Sequence, residues 1–323
     1  MTPRSMRAAV ISAPRTVELR NVPLPAPGPG EVRLALEGCG VCGSNLVPWE
    51  GRPWFQYPLP AGSPGHEGWG HVDAVGPGVD SVREGDRVAA LSGHAYAEYD
   101  VSRADQLLPL PAALDGKPFP GEALGCAMNI FERSEIEAGH TVAIVGAGFL
   151  GTLLIQLARA AGARVVAISR RAYSRELALE HGAHHALAIT TRDEVIGQVE
   201  ALTGGKLCER VIEVVGLQEP LELAGALCAE RGRLVIAGYH QDGPRQVNLW
   251  LWNWRGLDVI NAHERDPQRY RQGMERALEA VQSGRLDPFP LFTHSHPLEE
   301  AGRAFEGLLE RPAGFLKALI RMR

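Results

Sequence analysis

Two hydrophobic patterns divide the chain. Up to about residue 110 the apolar positions form short stretches, several of them alternating with polar residues, at 6–11, 16–19, 31–37, 70–75 and 95–101. Gly and Pro separate these stretches, which is the pattern of short strands joined by turns. Residues 22–30 (VPLPAPGPG) form a proline-rich connector that excludes helix. Beyond residue 122 the period changes. Short, nearly continuous apolar runs at 141–145, 164–169, 184–187, 210–215, 233–237 and 257–261 alternate with stretches of helical period. That alternation predicts a parallel sheet with right-handed crossovers. Helices are expected at 122–133 and 266–283, the second closed by Gly284; Ser174 is expected to cap another helix and Gly182 to stop it. In 247–254 (VNLWLWNW) the alternation of Trp250, Trp252 and Trp254 predicts an aromatic strand, packed on a neighbour or across a dimer interface. The fold class is therefore α/β, a β-rich domain plus a doubly wound parallel sheet.

The most informative run is TVAIVGAGFLG at 141–151. A β-branched strand enters Gly146, Gly148 and Gly151 at G-x-G-x-x-G spacing, and a helical stretch follows. Gly146 permits the tight turn, Gly148 lets backbone approach a pyrophosphate, and Gly151 lets helix pack on strand. Phe149 and Leu150 lie within the same turn, and Val215 and Gly238 are assigned to the same cofactor site. The next strand ends in Ser169, Arg170 and Arg171, 18 residues past Gly151 for Ser169. NAD-binding domains place an acidic residue there. A serine followed by two arginines suits a 2′-phosphate, so NADP(H) is favoured over NAD(H). Arg175 is a further candidate one helical turn on.

Composition narrows the function. The 323 residues suit two domains, and 45% hydrophobic with 22% charged residues is ordinary for a globular protein. A net charge of −5 gives no basic footprint for nucleic acid, and no apolar run approaches ~20 residues, so no membrane partner is expected. The N-terminus lacks the apolar core of a signal peptide, and a cytoplasmic location is expected. Five cysteines without regular spacing suit reduced thiols and metal ligation better than disulfides.

The β-rich part carries its own chemistry. GCGVCGSN at 38–45 contains Cys39 and Cys42, and the absence of a second CxxC excludes a four-cysteine zinc site. PGHEGWGHVDAV at 64–75 sets His66 and Glu67 between glycines. Residues 47–64 form a loop with Trp49, Trp54, Phe55 and Tyr57, either a packed surface loop or a pocket wall. Asn261, Ala262 and His263 follow the last strand of the parallel sheet, at the edge where such sheets place ligands.

Four motifs, GVCGSN at 40–45, PGHEGWG at 64–70, GEALGCA at 121–127 and VGAGFLG at 145–151, occur in the order found in zinc-dependent medium-chain dehydrogenases/reductases. With the C-terminal tail they span nearly the whole chain, which resembles the alcohol and polyol dehydrogenase group of that superfamily. The resemblance implies a GroES-like catalytic domain from residues 1–121 and 263–323 and a Rossmann nicotinamide domain from 122–262. It implies one catalytic zinc on Cys42, His66 and Glu122, with Glu67 an exchanging or outer ligand. Glu122 stands 24 residues before Gly146, where the polyol branch places a glutamate; Cys126 is its rival one turn later and reads as helix packing. Ser44 would pass on the hydroxyl proton. The implied reaction is zinc-assisted hydride transfer between a secondary alcohol or polyol, or the matching ketone, and the nicotinamide. A homodimer or homotetramer is expected.

Three departures stand out. Asn45 replaces the aspartate that usually orients the zinc-bound histidine, and is expected to accept that histidine's hydrogen bond. Val47 stands where many members carry an outer relay histidine. AALSGHA replaces a four-cysteine lobe, so no structural zinc is expected. Two other readings stay open: a zinc-free quinone or enone reductase of the superfamily, and a non-catalytic nicotinamide sensor or structural protein.

Overall fold

Two units make up the computed structural model, which describes residues 4–322. The first comprises residues 4–126, 265–278 and 288–322; the second comprises Ala127–Glu264 and Glu279–Asp287. No helix among the described residues is long and apolar enough to cross a membrane.

The first unit opens with an antiparallel hairpin of β1 (Ser5–Ala13) and β2 (Thr16–Pro23). Its long strand β3 (Glu31–Gly40) pairs along one edge with β4 (Glu67–Val75), and β4 continues to β5 (Arg87–Ala90). The start of β3 also pairs with β6 (Tyr99–Arg103), and β7 (Leu107–Pro109) flanks β5. A short helix, α1 (Leu46–Glu50), follows the Cys42 turn. The strand expected at 95–101 starts later than its apolar pattern suggested. Ala95 and Tyr96 instead donate backbone hydrogen bonds to the Gly65 and Gly62 carbonyls, which diverts them from the sheet ladder. Helix α2 (Gly121–Ser134) then leads out of this unit.

The second unit is a six-stranded parallel sheet. In chain order it contains β8 (Thr141–Val145), α3 (Phe149–Ala160), β9 (Arg164–Ser169), α4 (Ala172–Glu180), β10 (His185–Ala188), α5 (Arg192–Thr203), β11 (Cys208–Glu213), α6 (Gln218–Leu227), β12 (Cys228–Ile236), α7 (Leu249–Arg255) and β13 (Asp258–Asn261). The spatial order is β10-β9-β8-β11-β12-β13. Order reverses between β8 and β11, and the crevice at such a reversal is where open α/β sheets bind ligands. Val145, Val166, Ile168, Val211 and Leu234 fill the core beneath. Two local expectations are corrected. Arg171, extended at φ −79° and ψ 129°, caps α4, and Ser174 is buried inside that helix. The tryptophan stretch is the helix α7, because the Asn248 side chain accepts from the Leu251 N–H and Gly256 closes the last turn at φ +60°. Helical geometry then explains the alternation: Trp252 turns into the core, while Trp250 and Trp254, four apart, stack outside at 6.4 Å.

After α8 (Pro267–Gln282) the chain forms β14 (His294–Pro297), α9 (Ala301–Glu310) and β15 (Ala318–Arg321). β15 pairs antiparallel with the end of β3, Leu319 opposite Gly40 and Ile320 opposite Cys39. Phe305 of α9 stacks on Trp49 at 5.1 Å and meets Tyr96 edge-on at 5.4 Å. These contacts bring the C-terminal segment to the base of the Cys42 turn.

Candidate active site

Cys42 caps a 3-10 turn (Gly43–Asn45) just beyond β3, and Ser44 lies half-buried within it. Asn45, buried, braces the turn: its Oδ1 accepts from the Cys42 N–H at 2.9 Å and from the Tyr96 hydroxyl at 2.7 Å. Its Nδ2 donates to the Pro64 carbonyl at 3.2 Å. The expectation that Asn45 would orient His66 is therefore corrected. Its oxygen is already engaged, and the His66 Nδ1–H donates to the Pro64 carbonyl instead, at 2.8 Å. That bond keeps a proton on Nδ1 and leaves Nε2 as the nitrogen that would bind a metal in place of its proton.

Glu67 begins β4 opposite Gly40. It is buried, its Oε1 accepts from Lys317 Nζ at 2.6 Å, and its Oε2 has no hydrogen-bond partner. A Cβ on residue 40 would lie 1.8 Å from that Oε2, so any side chain there would have to displace the carboxylate from this position. Donor atoms of Cys42, His66 and Glu67 lie within 4.8 Å of one another. Glu122, in the first turn of α2, places Oε2 4.0 Å from His66 Nε2. Cys126 follows four residues later on the same helix.

The electrostatics show how strongly these groups interact. Burial raises the Glu122 carboxyl pKa and the Glu67 charge adds to the rise, against His66 and Lys317. Burial would lower the pKa of His66, but the hydrogen bond and charge of Cys42, followed by Glu122 and Glu67, raise it to about 10. Lys317 is likewise raised despite burial, chiefly by Glu67. The Cys126 thiol is pushed well up by burial, then by Glu122 and Cys42. Two thiols, one imidazole and two carboxyls thus interact with one another and with the buried Lys317 ammonium. Sulfur, nitrogen and oxygen donors together suit zinc, and the unpartnered Oε2 of Glu67 is a buried acceptor that a cation would satisfy. Lys317 and Gly40 were not singled out from sequence. The available signal for Lys317 was a lone charge inside FLKALI.

In the second unit, Gly146 follows β8 at φ +112°, a conformation that favours glycine. A Cβ on Gly151 would lie 1.9 Å from the Gly146 carbonyl oxygen, so α3 sits close against its strand. Gly148 caps α3, and a Cβ there would meet open space. Phe149 and Leu150 open that helix, half-buried. Val215 packs on this turn, its Cγ2 2.7 Å from where a Cβ on Gly146 would be. Gly238 is pressed against the next turn, its own Cβ position 2.2 Å from the Gly216 nitrogen. On neighbouring β9, Ser169 is buried and Arg170 exposed. Arg175 Nη1 donates to the Ser169 and Arg170 carbonyls at 3.0 and 2.8 Å, which holds their turn.

The aromatic loop divides. Trp49 is core, its Nε1–H donating to Glu306 at 3.2 Å, and the Tyr57 hydroxyl donates to the Pro48 carbonyl. Trp54 is 62% exposed. Beyond β13, His263 stacks on Tyr239 at 5.9 Å.

Two family models match this architecture: the alcohol dehydrogenase GroES-like domain over residues 28–112 and the zinc-binding dehydrogenase over residues 150–279. The chain is 29% identical to a sorbitol dehydrogenase of Rattus norvegicus, over 92% of this chain and 91% of that protein. It is 26% identical to a 2-dehydro-3-deoxy-L-galactonate 5-dehydrogenase of Pseudoalteromonas atlantica, over 91% and 92%. A zinc-binding dehydrogenase of Sinorhizobium meliloti, solved bound to NADP, superposes with a TM-score of 0.84 at 27% identity, over 99% of this chain and 100% of that one. The chain belongs to the zinc-dependent medium-chain dehydrogenase/reductase superfamily, in its alcohol and polyol dehydrogenase-like group.

Proposed function

We propose that this chain is a zinc-dependent dehydrogenase that moves a hydride between a secondary alcohol or polyol, or the matching ketone, and NADP(H). The observation that carries the reading is the convergence of Cys42, His66 and Glu67 within 4.8 Å beside an unpartnered Glu67 Oε2. Cys42 as thiolate, His66 through Nε2 and Glu122 would hold one zinc, with Glu67 an exchanging or outer ligand. A zinc held there would supply Lewis-acid polarisation of the alcohol oxygen, and a bound nicotinamide would supply the hydride chemistry.

The chain's own residues prepare that chemistry. The Pro64 carbonyl holds the proton on His66 Nδ1, which leaves Nε2 as the nitrogen for the metal. Asn45 fixes the Cys42 backbone. Lys317 draws one oxygen of Glu67 to itself and sets its orientation. Ser44 would relay the hydroxyl proton as the alcohol is oxidised, accepting it on its oxygen while passing its own proton on to solvent. In the second unit, Gly146, Gly148 and Gly151 give the pyrophosphate close access to the N-terminus of α3. Ser169, Arg170 and Arg171 take the 2′-phosphate, which supports NADP(H); the Sinorhizobium meliloti relative is bound to NADP.

The assembly is a homo-oligomer built on the β13 edge of the parallel sheet. β13 pairs only with β12 among the described residues, and Trp250 and Trp254 next to it are 72% and 74% exposed. An unpaired strand edge flanked by apolar surface is self-complementary about a two-fold axis, so the occupant is a second copy of the chain.

The test is a screen of secondary alcohols and polyols, and their ketones, followed by nicotinamide absorbance, with zinc content measured on the same sample. Turnover that depends on about one zinc per subunit is expected. Undiminished turnover after complete zinc removal, or no turnover on any substrate with zinc bound, overturns the reading.

A further inference from the structure

Glu213, the last residue of β11, is fully buried, and no strand pattern accounts for a carboxylate there. Its hydrogen bonds form a closed ring. Oε1 accepts from the Val215 and Gly216 N–H groups, both at 2.7 Å. Oε2 accepts from His240 Nε2 at 3.0 Å. His240 Nδ1 accepts from Arg245 Nε at 2.8 Å, and Arg245 Nη2 donates to the Gly216 carbonyl at 2.8 Å. The ring therefore starts and ends on Gly216. Both imidazole nitrogens are engaged, one as donor and one as acceptor, so His240 acts here as a spacer of fixed geometry and not as a base. The Glu213 carbonyl also accepts from the Ala237 and Gly238 N–H groups at 2.8 Å each, which ties the turn after β12 to the turn after β11. Asp242 pairs with Arg245 on the outer side.

The ring holds Val215 against Gly146, at the point where strand order reverses. A buried carboxylate saturated by backbone N–H groups and an oriented imidazole is a rigid element, expensive to distort because each bond lost leaves a buried group unpaired.

We propose that the Glu213–His240–Arg245 ring positions the turns at Val215 and Gly238 for the nicotinamide dinucleotide, with His240 and Arg245 as positioning residues that do not touch the reacting atoms. The inference rests on the dinucleotide-binding reading above. It assigns His240 and Arg245 a role in cofactor affinity and leaves the metal chemistry untouched.

The experiment compares the purified parent with His240→Ala, His240→Gln and Arg245→Ala. It reads NADPH and NADH dissociation constants by calorimetry, KM and kcat for the cofactor, and hydrogen exchange over residues 214–216. His240→Ala is expected to weaken dinucleotide binding about tenfold, the scale of one charge-assisted hydrogen bond. It should raise cofactor KM in step, leave kcat at saturation within about twofold, and speed exchange over 214–216. His240→Gln, whose amide both donates and accepts, should recover most of the affinity. Where His240→Ala does not fold, Arg245→Ala, which opens the ring on its outer side, is read the same way. A folded variant that binds dinucleotide within about twofold of the parent overturns the inference, even with faster exchange, as does a His240→Gln protein no tighter than His240→Ala. A parent that binds neither dinucleotide overturns the functional reading itself and this inference with it.

Discussion

Lys317 Nζ lies 2.6 Å from Glu67 Oε1, a hydrogen-bonded ion pair between residues 250 positions apart, with side chains only 5% and 1% exposed. The register of β15 on β3 creates it, by bringing the C-terminal segment alongside Gly40. Glu67 has a second, unpartnered oxygen, so the pair both neutralises a buried carboxylate and orients it. Removing one partner of such a pair leaves an uncompensated charge and typically costs about 3–5 kcal/mol. Lys317→Ala should therefore lower the melting temperature by on the order of 10 °C and reduce zinc retention. Lys317→Arg keeps the charge and should recover most of both. A Lys317→Ala protein that melts within about 2 °C of the parent and keeps its zinc would show that Glu67 does not depend on this partner.

The ligand set makes a sharper prediction. Cys42→Ser and His66→Ala should each lose zinc and reduce turnover by more than about 100-fold, beyond the range usual for residues that only orient a ligand. Cys126→Ala should keep metal and activity, because the converging donors are Cys42, His66 and Glu67. Metal analysis beside kinetics decides it. Zinc lost from Cys126→Ala and kept in Glu122→Gln would move the third ligand to the cysteine.

Much of this was legible because it is local. The strand, the three glycines and the start of the following helix occupy eleven consecutive residues, 141–151, and each constraint acts within that span. The His66–Glu67 pair stood out for a similar reason, between glycines at a strand start. The parts missed depend on contacts between distant residues or on end effects. Lys317 meets Glu67 only through sheet register. Nothing in sequence chose the Pro64 carbonyl over Asn45 as the partner of His66; the choice follows from Tyr96 and the Cys42 N–H occupying the Asn45 oxygen. Tryptophans spaced two apart fit a strand, but they also fit a helix in which Trp250 and Trp254 share a face. Asn248 and Gly256, at the two ends, settle it as helix.

That face carries a prediction about assembly. Trp250 and Trp254 stack with an interplanar angle of 7° and extend the apolar surface of Leu249, itself 67% exposed. Stacked aromatic side chains at the centre of an interface commonly contribute about 2 kcal/mol or more each. Trp250→Glu with Trp254→Glu should convert the assembly to a smaller species, measured by light scattering after gel filtration. The pair lies outside the Cys42 cluster, so zinc content should hold. An unchanged molar mass would show that this face does not hold copies of the chain together.

Cofactor choice is the prediction most directly tied to single side chains. Ser169 ends β9 at the position where a carboxylate would bond ribose hydroxyls and repel a 2′-phosphate. Arg170 is exposed and Arg171 caps α4, so both flank the mouth of that turn. Arg175 spends Nη1 on the Ser169 and Arg170 carbonyls and so shapes the turn. Charge-assisted hydrogen bonds to a phosphate contribute about 1.5–3 kcal/mol each. Arg170→Ala with Arg171→Ala removes two such contacts and should therefore lower kcat/KM for NADPH by at least roughly 100-fold while that for NADH moves by less than about threefold. Ser169→Asp should act in the same direction through repulsion and strengthen NADH use through the ribose. Steady-state kinetics with both cofactors, in all three proteins and at two ionic strengths, gives the answer. The NADPH loss should shrink as salt rises, because salt screens an exposed charge pair. A parent that prefers NADH, or a double variant with unchanged NADPH kinetics, would show that this turn does not read the 2′-phosphate.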